Sequence, residues 1–421
     1  MQPVERVEHR PGARVLLLMS RTTYRAQAFL EAAERLELDA AVGSDHRLPL
    51  ADLSPACSLE LDFRSLQPSV EAIVRLAEGR PLAAVVSVDD SAAVLAARAA
   101  RALNLPHNPP EAVRAALYKH EMRELARRAG VPGPAFRLFS TGSDPGPAAA
   151  ETRYPCVLKP VYLSASRGVI RADDPPSFVA AHRRISRILA DASSSEGDPS
   201  VERLILIEDY LPGAEVALEG LLVDGRLHTL ALFDKPDPLD GPFFEETILL
   251  TPSRLGESVR RAVVACAEAA VGALGLREGP VHAEFRIHEG RAWLLEVAPR
   301  SIGGLCARVL RFADGSSLEE LILRHAVGLP IETLEREAGA AGVMMVPIPK
   351  RGTLRAVRGL EAARLVRGIE EALLTIPPDE ELIPLPEGHR YLGFLFARGD
   401  TPDEVERALR RAHGRLDIVI E

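Results

Sequence analysis

The sequence predicts an α/β domain of Rossmann-like type at the N-terminus, then α+β domains, and a small α+β module at the C-terminus. Three observations support this architecture. Apolar strands alternate with helical segments up to about Pro110, which is the order that builds a parallel sheet. A hairpin with facing carboxylates occupies Val281 to Gly304, and two strands with a capped helix follow residue 336.

The N-terminal region contains two predicted strand–helix units. The strands are Arg14–Ser20 and Leu82–Val88, and the helices are Tyr24–Leu36 and Ala92–Leu103. Ser91 is the predicted N-cap of the second helix, because its hydroxyl can accept a bond from a free backbone amide. No G-x-G-x-x-G fingerprint follows the first strand, so we do not expect a dinucleotide site. The strand ends are instead candidates for one wall of a substrate cleft.

Composition excludes several classes of protein. A net charge of −9 in 421 residues argues against a nucleic-acid surface, which needs a basic stripe. No apolar run is long enough to cross a bilayer, and the charged start MQPVERVEHRPG lacks the apolar core of a signal peptide. The cysteines are scattered without a C-x-x-C pair, so we expect reduced thiols and a cytoplasmic location rather than disulfides or zinc. They are Cys57, Cys156, Cys266 and Cys306.

Two lysines and a loop of small residues are candidates for phosphate binding. Lys119 lies in a helical region from Glu111 to Ala129, and Lys159 ends a predicted strand that begins at Tyr154. The backbone amides of the next loop can fold over phosphate oxygens, while Lys159 adds a positive charge. This loop consists of Ser164, Ala165, Ser166, Arg167 and Gly168. A solvated helix lysine and an ordinary surface hairpin remain the competing interpretations.

An acidic run ends the strand that begins at Arg203. Its arrangement, with a Pro-Gly turn and a second acid, could hold the edge of a base and a ribose hydroxyl pair. The residues are Glu208, Asp209, Tyr210, Leu211 and Glu215. A hairpin from Ala217 to Leu232 then leads to a polar, proline-rich loop. There Lys235, Glu245 and Glu246 are candidates for substrate contacts, with an ordinary surface loop as the alternative.

The hairpin that begins at Val281 is the most informative stretch. Alternation places its apolar side chains on one face and its polar side chains on the other. The polar face carries His282, Glu284, Arg286 and His288. A three-residue loop centred on Gly290 places Glu284 opposite Glu296, whereas a two-residue turn sends them to opposite faces. Two facing carboxylates repel unless a hard cation lies between them, and Mg²⁺ commonly takes one or two carboxylates with phosphate oxygens and water.

Helices and strands are also predicted in the second half of the chain. The expected helices are Leu255–Leu274, Leu318–Val327 and Thr401–Ala412, and the expected strands are Gly342–Ile348 and His389–Arg398. Thr401 is the predicted cap of the last helix, with Pro402 at its first position.

Taken in order, these motifs resemble the ATP-grasp superfamily, and within it the carboxylate–amine ligases related to L-amino acid ligases and biotin carboxylase. The resemblance covers nearly the whole chain. It implies a Rossmann-like domain at residues 1–112, a lid subdomain at 113–205, a central subdomain with the metal hairpin at 206–335, and an α+β module at 336–421. It also implies that the protein binds ATP and Mg²⁺, with Mn²⁺ as an alternative metal, and that its substrates are a small-molecule carboxylate and an amine. No nucleic-acid or membrane partner is expected, and a homodimer is compatible with the resemblance.

The resemblance assigns a role to each candidate residue. Lys119 and Lys159 match lysines that contact nucleotide phosphates, and Ser164, Ser166, Arg167 and Gly168 match the mobile loop above them. Glu208, Asp209, Tyr210 and Leu211 match the linker that recognises adenine, and Glu215 matches the glutamate that binds ribose. Glu284 and Glu296 match the magnesium carboxylates. Arg300 matches the arginine that steadies the transferred phosphoryl group.

Three departures from the family pattern stand out. Ala298 occupies the position where the family commonly has an asparagine ligand, and Ala165 lies between the loop serines. Thr247 and Ile248 follow Glu246, where the dipeptide ligases often carry a Gly-His pair. Ala298 leaves one metal position to water or to another residue, and the sequence after Glu246 leaves the amino-acid substrate open.

The implied reaction activates a carboxylate as an acyl phosphate and couples it to an amine. Arg300 and Glu246 are the candidate catalytic residues, and His282 is a second candidate for removing the amine proton. Three alternatives stay open: carboxylation of a nitrogen as in biotin carboxylase, a non-catalytic ATP-binding protein, and a metal phosphohydrolase.

Overall fold

The computed structural model describes residues 12–21, 23–46, 58–192 and 201–421; Cys57 and the N-terminal residues 1–11 lie outside that part. The first sheet is parallel, with strand order β3-β2-β1-β4. Its elements are β1 (Arg14–Met19), α1 (Ala26–Arg35), β2 (Asp39–Ser44), β3 (Ser58–Glu60), α2 (Leu66–Gly79), β4 (Ala84–Ser87) and α3 (Ala93–Ala102). Every residue of β1 is buried, because helices cover both faces of a central parallel strand.

A second, antiparallel sheet follows two short helices. The elements are α4 (Pro110–Leu117), α5 (Lys119–Arg128), β5 (Phe136–Ser140), α6 (Pro145–Glu151), β6 (Cys156–Pro160), β7 (Ile170–Ala172), α7 (Pro175–Ala192) and β8 (Leu204–Asp209). The strand order is β5-β8-β6-β7. Phe178, Ile185 and Leu189 on α7 are buried in one apolar cluster with the strands, so the helix forms the back of this sheet.

The elements of the central region begin with a long hairpin. They are β9 (Ala214–Val223), β10 (Arg226–Lys235), β11 (Ile248–Thr251), α8 (Glu257–Leu274), β12 (Gly279–His288), β13 (Arg291–Ala298) and α9 (Leu318–Val327). The C-terminal elements are β14 (Ala340–Val346), β15 (Gly352–Arg358), α10 (Leu360–Arg364), β16 (Ile369–Leu374), β17 (Glu381–Leu382), β18 (Gly393–Gly399), α11 (Pro402–His413) and β19 (Asp417–Ile420).

One eight-stranded sheet joins these two groups of elements. Its order is β13-β12-β9-β10-β11-β14-β18-β16, and a separate three-stranded sheet has the order β17-β15-β19. Helix α8 packs on one face, where Val263, Ala267 and Val271 meet strands β9, β12 and β13. On the opposite face, Phe233 and Leu249 share a core with α9 and with β1. The first sheet and the central sheet therefore share one apolar core.

Most predicted segments are confirmed, including the parallel N-terminal sheet and the Thr401 cap, whose side chain accepts from the Glu404 amide. The prediction that Ser91 caps the second helix is wrong. The Asp89 side chain accepts a bond from the Ser91 amide and begins a 3₁₀ turn, Asp90–Ala92, that precedes α3. Among the described helices, none combines the length and apolarity needed to span a bilayer.

Candidate active site

A cavity of about 1330 Å³ lies where the three large sheets meet. The candidate residues lining it are Lys119, Lys159, Ser164, Ser166, Arg167, Glu208, Asp209, Tyr210, Leu211, Glu215, Glu246, Glu284, Glu296 and Arg300. Gly168, Lys235 and Glu245 are absent from the described lining. The fold therefore gathers residues separated by up to about half of the chain into one cavity.

The hairpin brings Glu284 opposite Glu296, but the expected three-residue loop is wrong. His288 pairs with Arg291, so the turn contains only Glu289 and Gly290, both with positive φ. The register then shifts by one residue between Glu284 and Phe285. This bulge adds one residue to β13 and reverses the effect of the two-residue turn on side-chain direction.

Arg123 holds the bulge in place. Its guanidinium donates to the carbonyl oxygens of Leu294 and Leu295 at 3.0 and 2.8 Å. A bulge removes backbone groups from the regular ladder, and a buried carbonyl without a partner is costly. Arg123 supplies those partners and also donates to Glu208 Oε1 at 2.5 Å.

Two cations share Glu208 at the floor of the second sheet. Lys159 Nζ lies 2.5 Å from Glu208 Oε2, so both carboxylate oxygens are engaged inside the protein. Burial would raise the pKa of Glu208, but the charges of Arg123 and Lys159 outweigh burial and hold that pKa below its usual value. Burial lowers the pKa of Lys159, against the opposing effect of Glu208.

The second lysine belongs to the hairpin side of the cavity. Lys119 Nζ donates to the Leu163 carbonyl at 2.7 Å and lies 3.5 Å from Glu296 Oε1. The Glu296 side chain is 31% exposed, so it faces open space in the cavity rather than the core.

The small-residue loop contacts the C-terminal region. Ala165, Ser166 and Gly168 all have positive φ, and the Gly168 amide donates to the Pro386 carbonyl at 2.9 Å. A Cβ at Gly168 would lie 2.8 Å from the Pro160 side chain, so this close approach requires glycine. Just beyond the loop, Arg184 on α7 binds both oxygens of Glu387 at 2.6 and 2.8 Å.

Lys235 lies at the centre of three carboxylates. Its Nζ is 2.8 Å from Glu215, 2.9 Å from Glu246 and 2.8 Å from Glu284. Arg286 also binds Glu215, at 3.1 Å. Strand register explains the last contact, because Arg286 is paired with Glu215 across β12 and β9.

The charges in this cluster shift several pKa values. Burial acts to lower the pKa of Lys235, but the three carboxylates outweigh it and leave that pKa well above its usual value. Burial raises the pKa of Glu246 to about 7, with the charges of Glu284 and Glu215 acting in the same direction and Lys235 opposing them. For Glu284 the opposite holds: Lys235 and His282 outweigh burial and keep the pKa well below its usual range. Glu246 is thus the carboxylate of the cluster best suited to carry a proton near neutral pH.

His282 links two carboxylates. Its Nδ1 is 3.1 Å from Glu219 Oε2, and its Nε2 is 3.4 Å from Glu284 Oε1. Burial would lower the pKa of His282, but these two partners outweigh burial and raise the pKa to about 9.

Arg300 joins the central sheet to the first sheet. Its Nε donates to Asp90 Oδ1 at 2.8 Å, at the carboxyl end of β4. Asp90 raises the pKa of Arg300 above its usual value although burial opposes this. The next residue, Ser301, accepts from Arg25 through both its hydroxyl and its carbonyl. The ends of the first strands therefore form one wall of the cavity.

Oxygen donors fit a hard divalent cation on the hairpin. The described contacts of Glu284 converge on Oε1, which leaves Oε2 available. Within the described part of the chain, Glu296 has one long contact, to Lys119. Glu215, Glu246 and Glu284 also bring ligand atoms within 4.8 Å of one another. The Lys235 ammonium already lies among those three. The pair Glu284 and Glu296 is therefore the better candidate for Mg²⁺.

Several site residues escaped the sequence reasoning. Glu219 has a recognisable signal, because Glu215, Ala217 and Glu219 alternate on one face of β9. A single sequence contains no signal that identifies Asp90 or Arg123 as a site residue. Their partners, Arg300 and Glu208, lie 210 and 85 residues away in the chain. His389 and Tyr391 reach the cavity from the C-terminal region, where no site residue was predicted.

Comparison with known proteins agrees with this geometry. Residues 152–309 match the family described as the ATP-grasp domain. The chain carries an ATP-grasp domain. Residues 344–421 match the L-amino acid ligase C-terminal domain 2, so the ATP-grasp resemblance seen in the sequence is confirmed.

The relatives of this chain include carboxylate–amine ligases. It is 27% identical to alanine–anticapsin ligase of Bacillus amyloliquefaciens over 60% of this chain and 56% of that enzyme. The crystal structure of L-amino acid ligase from Bacillus licheniformis matches with a TM-score of 0.78 and 25% identity, covering 98% of this chain and 100% of that one. The chain spans just over half the length of the alanine–anticapsin ligases it matches.

A more distant match shows the fold alone. The biotin carboxylase domain of 2-oxoglutarate carboxylase from Hydrogenobacter thermophilus has a TM-score of 0.68 and 16% identity, covering 98% of this chain and 92% of that one. That structure holds MgADP and bicarbonate. ATP-grasp enzymes bind ATP and Mg²⁺, consistent with the oxygen donors of the hairpin.

Proposed function

We propose that this protein is an ATP-dependent ligase that activates a carboxylate as an acyl phosphate and couples it to an amine, releasing ADP and phosphate. The single observation that supports this most strongly is the arrangement of one cavity. It holds two lysines near a small-residue loop, two facing carboxylates on a hairpin, and an arginine between them and the first sheet.

In the first step, an oxygen of the substrate carboxylate attacks the γ-phosphorus of ATP. The bond from that phosphorus to the bridging oxygen breaks, and ADP leaves. The protein forms no covalent bond in this step, because phosphoryl transfer is catalysed mainly by positioning the reactants and neutralising their charge. Lys119 and Lys159 supply positive charge, and Ser164, Ser166, Arg167 and Gly168 close over the phosphates.

In the second step, the amine nitrogen attacks the acyl carbon, and the bond from carbon to the phosphate oxygen breaks. Arg300 stabilises the tetrahedral oxyanion, since its guanidinium is held by hydrogen bonds to Asp90 and to the Ser301 carbonyl. Glu246 accepts the proton that the amine loses. Its raised pKa suits this exchange near neutral pH.

Glu284 and Glu296 would hold Mg²⁺, which neutralises charge on the phosphates when it is bound. Ala298 lies beside them and offers no ligand, so we assign the remaining positions to phosphate oxygens and water. Mn²⁺, having the same preference for oxygen, is a second metal for this site.

Nucleotide recognition is assigned to the carboxyl end of β8. Asp209, Tyr210 and Leu211 line the cavity and present backbone groups to adenine, while Glu208 orders this segment from below through Arg123 and Lys159. Glu215 is the ribose contact. Its position between Lys235 and Arg286 fixes its carboxylate for that purpose.

Four further expectations are kept as proposals. They are the Rossmann-like type of the N-terminal domain, the boundaries at residues 112, 205 and 335, the cytoplasmic location and the homodimer. The parallel sheet β3-β2-β1-β4 supports the first, because its strand ends line the substrate side of the cavity.

The test is to mix the protein with ATP, Mg²⁺ and a panel of carboxylic acids and amines, and to measure ADP together with the amide product. We expect ADP release that requires both an acid and an amine, with one amide formed for each ADP. ADP release that requires bicarbonate alone would favour the carboxylase alternative. Release without any acceptor indicates a phosphohydrolase, and nucleotide binding without turnover across the panel indicates a non-catalytic protein.

A further inference from the structure

A buried carboxylate lies behind the proposed metal site. Glu219 on β9 is wholly buried, and both of its oxygens accept from the Ile302 amide at 3.1 Å. Its Oε2 also lies 3.1 Å from His282 Nδ1, and His282 Nε2 lies 3.4 Å from Glu284 Oε1. The contacts therefore run in an unbroken chain from Glu219 to the hairpin carboxylate.

Strand register builds this chain. His282 is the cross-strand partner of Glu219, and Glu284 lies two residues farther along β12 on the same face. The other arm of Glu219 reaches the backbone two residues after Arg300. Glu219 thus contacts the loop that carries Arg300 directly. It also contacts Glu284 indirectly, through His282.

We propose that Glu219 and His282 are positioning residues that fix the Glu284 carboxylate for Mg²⁺ and hold the Arg300 loop in register with it. The proposal rests on the proposed function, because it takes Glu284 as a metal carboxylate. Partners of this kind commonly change metal affinity 10- to 100-fold when they are removed.

The geometry of Glu284 shows what positioning accomplishes. Lys235 and His282 both approach Oε1, at 2.8 and 3.4 Å. Two contacts hold this one oxygen in place, and the described contacts of Glu284 leave Oε2 available for the metal. Without His282, Lys235 alone can turn Glu284 toward the cluster of Glu215 and Glu246.

The same contacts remove His282 from the choice of proton acceptor. Both ring nitrogens lie within hydrogen-bonding distance of carboxylates, and the residue is 9% exposed. An imidazole held at both nitrogens has no free lone pair for an amine proton. Glu246 remains the candidate for that step.

Two amide variants separate positioning from packing. A glutamine amide reaches the place of Nε2 and can still donate to Glu284, whereas an asparagine amide reaches only the place of Nδ1 and contacts Glu219. The measurement is Mg²⁺ binding by isothermal titration calorimetry, with the protein saturated by a non-hydrolysable ATP analogue. We expect His282→Asn to raise the Mg²⁺ Kd 10- to 100-fold and His282→Gln to stay within about threefold of wild type.

Glu320→Gln is the matched control, because Glu320 is buried but caps α9 and lies outside the described cavity lining. It should lower thermal stability and leave Mg²⁺ binding unchanged. If His282→Asn does not fold, Glu219→Gln takes its place and should also raise the Mg²⁺ Kd. Equal Kd values for wild type, His282→Asn and Glu219→Gln would overturn the positioning role. Wild type that binds no Mg²⁺ with the analogue would instead contradict the proposed function.

Discussion

Two ion networks beside the cavity have opposite charge balance. Beneath the second sheet, one carboxylate, Glu208, lies between Arg123 and Lys159. On the central sheet, one ammonium, Lys235, lies among Glu215, Glu246 and Glu284. The first network therefore has an excess of positive charge, and the second has an excess of negative charge.

This difference matches the two halves of a metal–nucleotide complex. A buried charge without a partner is costly, so each network favours a further partner of opposite sign. Positive charge lies toward the small-residue loop, where the proposal places the triphosphate. Negative charge lies toward the hairpin, where it places the divalent ion.

Lys235→Met should give the largest loss of stability. It leaves one buried and two partly buried carboxylates without their shared cation, although Arg286 still binds Glu215. Breaking a buried ion pair by removing one partner costs about 3–5 kcal/mol. Urea unfolding followed by circular dichroism measures this loss. Lys350→Met is the control, because Lys350 is exposed. An unfolding free energy equal to that of the control would show that the cluster is not held together by Lys235.

Glu208→Gln tests the opposite network and should be milder. The amide oxygen still accepts from one of the two cations, so the expected loss is that of one charged hydrogen bond, about 1.5–3 kcal/mol. The same urea titration measures it. The KM for ATP should rise as well, since Arg123 and Lys159 then repel each other. A loss larger than that of Lys235→Met would contradict the comparison of the two networks.

Arg184→Gln should have the smallest effect. Both Arg184 and Glu387 are more than a third exposed, and such pairs contribute about 0.2–1 kcal/mol. Because this pair ties α7 to the C-terminal loop, losing it should loosen closure of the lid. We expect a rise of up to about fivefold in the KM for ATP and more ADP formed per amide. Arg183→Gln, an exposed neighbour on α7, should change neither.

Much of this site follows from local sequence pattern. Period-two alternation in β12 predicted the polar face, and the lysine at the end of a strand predicted the position of Lys159. Glu284 and Glu296 were matched correctly, although by the wrong turn. The turn has two residues, and the bulge that compensates for it depends on Arg123, a residue of α5 that no local pattern connects to β13.

Contacts between distant segments could not be predicted in this way. Asp90 binds Arg300 because the first sheet and the central sheet pack together. A single sequence does not indicate how two sheets are placed relative to each other. The same holds for Pro386 and Glu387, which touch the small-residue loop and α7 from more than 200 residues away. Short strands such as β3 and β17 carry too few residues for a periodic signal.

The most direct test of the account is the rate of ADP formation by Glu296→Ala, measured with Mg²⁺ and an acid and amine accepted by the wild type. Glu268→Ala on α8 is the control, because Glu268 is exposed and outside the described cavity lining. We expect the Glu296 variant to fold normally and to lose at least about a hundredfold in turnover, because metal charge stabilisation contributes several kcal/mol to such steps. Turnover within a few-fold of the control would contradict the claim that Glu284 and Glu296 together hold a divalent ion against the phosphates.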